Sequence, residues 1–270
     1  MRSFFLLCGV FALNGCLLRA DSSAITASEA SEALDEASVS SQASELTSAS
    51  IDIATNFTIG EAAAQAAQDL QAFIVSQMPC ADVTLSGATL TVVYGAKPGL
   101  CVYDGHTFSG THAITITPTT DGVEVDHTWT ALSDGVVSVS GNAQVTWDAV
   151  NPSRHVVHDL SWTRVWDGRT GEGTADLTQT PLTGGVLVGF QESGTRTWDG
   201  QSGHWLLDVN DVQVRWADPV PQSGTYTLTT PSQKTATLGF SRVNDSTIQV
   251  DLTSGKSDYK FDVTETGQSS

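Results

Sequence analysis

The residues of this chain that could do chemistry are its histidines, its tryptophans and its surplus of carboxylates. His155-Val156-Val157-His158-Asp159 has the spacing that would place two imidazoles on one face of a helix. The surrounding residues alternate as in a strand, where positions i and i+3 point to opposite faces, so the pair is not expected to share a metal. His112 and His127 are better placed. If the loop around Thr119-Thr120-Asp121-Gly122 closes a hairpin, Ile116 lies opposite Val125, Ile114 opposite His127, and His112 opposite Trp129. The two histidines then sit diagonally on one apolar face. With no third ligand placed, packing against Trp129 is the expectation rather than zinc.

Trp147, Trp162, Trp166, Trp198, Trp205 and Trp216 crowd the middle of the chain. Exposed, they would form a stacking platform for sugar rings. As core and hairpin pairs they would be inside, which is the expectation for side chains this large. Paired carboxylates for glycoside hydrolysis need a defined separation in a cleft, which no sequence pattern supplies. The chain has no phosphate loop, dinucleotide fingerprint, metalloprotease helix or nucleophile elbow. No catalytic, cofactor-binding or metal-binding residue is assigned.

The formal charge is −18 over 270 residues. Such a field repels phosphate backbones and excludes nucleic acid as a partner. It also repels anionic headgroups, so membrane attachment would have to come from acyl chains. Of the four cysteines, Cys80 and Cys101 are the pair expected to form a disulfide, closing a loop of about 20 residues worth about 3 kcal/mol.

Arg2 precedes a short apolar run at residues 4–13, about half the length needed to span a bilayer. It leads into Leu13-Asn14-Gly15-Cys16, which resembles the lipobox of bacterial lipoproteins. The resemblance implies cleavage before Cys16, a lipid on its sulfur, and a mature protein held at a membrane surface. Leu17 rather than an aspartate follows the cysteine, which in enteric bacteria implies the outer membrane. The alternative is ordinary cleavage after Ala20, giving a soluble secreted or periplasmic protein.

On this reading residues 1–15 are a signal peptide and residues 16–52 are the lipidated Cys16 plus a tether. Residues 53–270 are a single domain. The stretch 21–50 is rich in Ser, Ala, Glu and Thr and has no aromatic residue, Lys or Arg. It is read as flexible because it offers little apolar surface against its ordering entropy, with a frayed helix as the other reading. A helix is expected over about 58–78. Thr58 and Glu61 have capping-box spacing, and Ile59, Ala63, Ala66, Leu70, Phe73 and Gln77 form its inner stripe. Pro79 ends it.

Period-two alternation dominates residues 80–265. Its clearest part is Tyr226 and Leu228, then Ala236, Leu238 and Phe240, then Ile248, Val250 and Leu252, then Tyr259, Phe261 and Val263. The nonapeptide at 163–171 recurs at 195–203, read as repeated hairpin chemistry rather than a propeller or solenoid. The fold expected is mainly β: an antiparallel meander forming a large curved sheet or incompletely closed barrel, with one N-terminal helix on its concave face. A β-sandwich is the alternative. Function is expected to be that of a lipid-anchored, non-enzymatic structural or interaction module of the cell envelope, its protein or ligand partner unknown. A carrier of an apolar ligand, or a glycan-binding or glycan-hydrolysing protein, are the alternatives. The helix stripe predicts a filled core with Phe73 in it.

Overall fold

The computed structural model describes residues 24–58, 62–103, 105–148, 153–185, 188–215, 218 and 220–264. Cys16, Glu61 and Trp216 lie outside the described residues. Two helices, α1 (Ala27–Ile53) and α2 (Ala63–Gln77), precede the strands. β1 (Asp82–Ser86) and β2 (Thr89–Tyr94) are followed by a small hairpin of β3 (Val102–Tyr103) and β4 (His106–Thr107). Then come β5 (Ser109–Pro118), β6 (Gly122–Ser133), β7 (Val137–Asp148), β8 (Ser153–Arg164), β9 (Thr170–Pro181) and β10 (Gly189–Gly200). The chain continues through β11 (Gly203–Arg215), β12 (Ser223–Thr229), β13 (Thr235–Asn244), β14 (Thr247–Ser254) and β15 (Ser257–Thr264).

Thirteen strands form one antiparallel sheet in chain order, stepping over only the β3–β4 hairpin, with β1 and β15 as its edges. This is the expected meander and unclosed curved sheet, not a sandwich. Alternation decides which face is wet. Along β8, Val156, His158, Leu160, Trp162 and Arg164 are buried, while His155, Val157, Asp159, Ser161 and Thr163 between them are exposed. The register of β5 with β6 is the expected one, with Ile116 opposite Val125, Ile114 opposite His127 and His112 opposite Trp129. The C-terminal meander also pairs as its pattern requires: Leu238 faces Tyr226 and Leu252, and Ile248 faces Val263.

The sheet curls because its strands approach closely where side chains are missing. At Gly194, φ is +145° and a Cβ would lie 2.0 Å from the Asp176 carbonyl oxygen, so only glycine fits. The β10–β11 register slips beside it, between Glu192 and Gly194, and such bulges bend a strand and increase twist.

The curl encloses α1, which corrects the reading of residues 21–50 as a tether. Among its residues Val39, Leu46, Ile51 and Ile53 are buried in the core. Thr26 caps it: its hydroxyl accepts from the Glu29 N–H, and the Glu29 carboxylate accepts from the Thr26 N–H. The helix follows β8 in the opposite direction, with Asp35 against Arg164 at 2.8 Å and Asp52 against Arg154 at 2.6 Å. Yet Ser50 accepts from Trp129 on β6, Ser41 from Arg196 on β10, and Glu29 meets Lys234 beside β13. A helix that tracks one strand reaches all these others only when the sheet wraps around it.

The second helix is shorter than expected and is not capped by Thr58. Its N-cap is Ala62, whose side chain has nothing to donate or accept. It packs on β1, β2 and β5 through Ala66, Ala67, Leu70 and Ile74. Phe73 is only half-buried, edge-on to Tyr103 with centroids 5.9 Å apart. The deep apolar anchors of α2 are therefore Leu70 and Ile74. Cys80, just beyond it, is bonded to Cys101.

Candidate functional site

With α1 and α2 on the concave side, an open groove of about 420 Å³ lies on the convex side. It crosses β7, β8, β9 and β10 near one end of the sheet. Ser138 and Ser140 come from β7, Ser161 and Thr163 from β8, Thr170 and Glu172 from β9, and Asp199 from β10 with Gln201 in the turn after it. These are the outward residues of alternating strands, which explains why the lining is hydroxyl, amide and carboxylate. Gly171 leaves room for the indole packed beneath the groove: it pairs with Trp162, and a Cβ there would sit 2.8 Å from that ring. Asp199 lies directly opposite Glu172, and His204 opposite Asp199 with Nδ1 3.1 Å from the carboxylate.

The groove has the chemistry of a polyol site. Hydroxyls and Gln201 can donate and accept, and the two carboxylates accept from ligand hydroxyls. Its volume falls within the range of small-ligand sites, about 300–1,000 Å³. Glu172 and Asp199 are both open to water. No group of three His, Cys, Asp or Glu among the described residues could hold a metal ion.

A second polar cluster is internal. Arg154 donates to Asp52 and to Gln179, Gln179 donates to Glu192, and the Arg154 guanidinium lies 4.0 Å from the Phe190 ring centroid. Desolvation pushes the Glu192 carboxyl up, and burial raises Tyr226 to about 12. At the far end of α1, Arg169 contacts Glu32, Asp35 and Glu36, while Arg164 pairs with Asp35 and Asp167. The bond from Arg164 holds Asp167 down at about 2, and the bond from Lys234 does the same for Glu29. These groups fasten α1.

The sequence candidates divide clearly. His112 Nε2 and His127 Nδ1 share a 2.9 Å hydrogen bond, and both rings stack with Trp129 at 5.5 and 5.7 Å. They are buried and neutral: desolvation lowers His127 to about 3 and holds His112 well below the ordinary imidazole range. His155 faces water against Asp176, while His158 points inward. Trp198 and Trp205 are buried and stacked at 6.1 Å, Trp162 is buried, Trp147 is half-buried, and Trp166 alone of the described tryptophans is exposed, at 70%. Among the described residues the tryptophans form no exposed stacking platform. The two nonapeptides are not structural copies either, since Trp166 sits in a turn and Trp198 within β10. Missed in the sequence were Glu172 facing Asp199, and the network around Arg154. The first had a faint signal in the recurring Trp-Asp-Gly. The second joins α1 to β8, β9 and β10 and has no local signature.

No helix among the described residues is long and apolar enough to cross a membrane. No family of known proteins matches the chain, and neither curated proteins nor solved structures provide a match.

Proposed function

We propose that this protein is a lipid-anchored component of the bacterial cell envelope, held through Cys16 at the outer membrane, and that it works as a non-enzymatic interaction module. The observation that carries this reading is the place of α1. It lies in the concavity where a carrier would keep an apolar ligand, and it is ion-paired there at both ends. Engagement with a partner is then left to the outer surface. Lipidation is tested by labelled fatty acid and membrane fractionation: the intact protein takes up label and sediments with membranes, and Cys16→Ser does neither. Label-free, fully soluble protein would overturn the reading.

A second reading, favoured by the groove, is that the partner is a saccharide. Hydroxyl-rich walls with two carboxylates and no cation of their own suit a neutral polyol. Calorimetric titration with neutral oligosaccharides is the test. Saturable heat lost in the Glu172→Gln, Asp199→Asn double variant supports it, and no heat with the intact protein contradicts it.

A further inference from the structure

Antiparallel order places the turns after β6, β8, β10, β12 and β14 at one end of the sheet. The segment between β2 and β5 joins them, since Ser109 at the start of β5 pairs with Ser133 at the end of β6. This rim carries Leu100, Val102, Val136, Val165 and Trp166, exposed by 81, 43, 41, 54 and 70%. The Val165 N–H donates to the Val136 carbonyl at 2.8 Å, tying two of the hairpin tips together. Two carboxylates at these tips are turned to internal work: Asp134 accepts from the Val136 and Val137 N–H groups, and Asp167 pairs with Arg164.

The chain enters at the same rim. Ala24 packs against the turn at Gly255, and the Ile25 N–H donates to Ser254 at 3.1 Å. Cys16 is eight residues before Ala24, so full extension allows at most about 28 Å between them. A lipid on Cys16 keeps this rim, and not the opposite one, beside the bilayer. With a net charge of −18 the protein gains nothing from anionic headgroups, whereas an exposed indole and branched aliphatic side chains favour the interface.

We infer that this rim is a bilayer-docking surface, with Leu100, Val102, Val136, Val165 and Trp166 seated among the headgroups of the membrane that holds the Cys16 lipid. The inference rests on the anchored reading above. Docking makes the anchored protein stand on its hairpin tips, with the convex groove opening just above the headgroups.

The test uses the full lipidated chain reconstituted in phosphatidylcholine vesicles with brominated acyl chains, which quench indole on contact. Tryptophan fluorescence should fall relative to plain vesicles, and Trp166→Phe should remove most of that quenching. Val136→Asp with Val165→Asp should also abolish it while the protein still floats with the vesicles. Equal fluorescence in both vesicles, from protein whose mass shows an acylated Cys16, overturns docking and leaves the anchor standing. So does a concentration-dependent dimer that shields Trp166. An unacylated Cys16 overturns the anchor, and docking with it.

Discussion

His112, His127 and His158 are held neutral by burial, with His158 lowered to about 4 by desolvation and then by Arg196. An unfolded histidine takes its proton near pH 6.5, so below that pH the unfolded chain binds protons the folded one refuses. Stability is therefore fully present above about pH 6.5 and falls as the pH drops toward 4. His158 alone accounts for about 3 kcal/mol of that loss. Glu192 has the opposite sign, because its raised folded pKa takes up a proton on acidification and offsets part of the loss. Denaturant unfolding at a series of pH values should show the midpoint falling across that window, and His158→Gln should flatten the slope. At the other buried contact that a sequence reader would choose, the structure redirects the mutation. Leu70→Ala should cost about 2–5 kcal/mol, because Leu70 is wholly buried, and Phe73→Ala distinctly less. The disulfide was legible because Cys80 and Cys101 are the two cysteines that lie beyond the expected signal peptide and lipid site. Cys80→Ser with Cys101→Ser should lower stability by about 2–4 kcal/mol without abolishing the fold.

Among the elements, α1 separates what the sequence displays from what it conceals. Its stretch has low hydrophobicity and no cation, which reads as a chain too polar to dock. The Thr26-x-x-Glu29 capping box went unread in the sequence, and the decisive partners are Arg154, Arg164, Arg169 and Lys234, more than 100 positions away. Carboxylates along one helix and cations lining one trough can be matched only once the sheet is folded. Asp52→Ala should leave Arg154, 1% exposed, short of its counter-charge and cost about 3–5 kcal/mol. Replacing both, Asp52→Ala with Arg154→Met, should cost less than the two single changes together, in a double-mutant cycle read by unfolding. The strands were easier to foresee, because period-two alternation is local. The β5–β6 and C-terminal registers follow directly from it, whereas the Ala62 start of α2 replaces an expected Thr58 cap.

For the whole molecule, alternation and short turns sufficed for an unclosed antiparallel sheet, but not for what fills it. A helix over 58–78 was expected on the concave face. α2 lies there over β1, β2 and β5, but the rest of the concavity is filled by α1. The groove could not be foreseen, since its residues are ordinary outward Ser, Thr and carboxylates that become a site only by the juxtaposition of four strands. Because they are exposed, Glu172→Gln and Asp199→Asn should change stability by no more than about 0.5 kcal/mol. The account turns on α1 being a resident part of the core rather than a tether. Amide hydrogen exchange of the intact protein measures this directly. Residues 33–54 should be protected to the same degree as β7 and β8, which α1 contacts. Exchange of residues 33–54 at the rate of an unstructured chain, with β7 and β8 still protected, would contradict it.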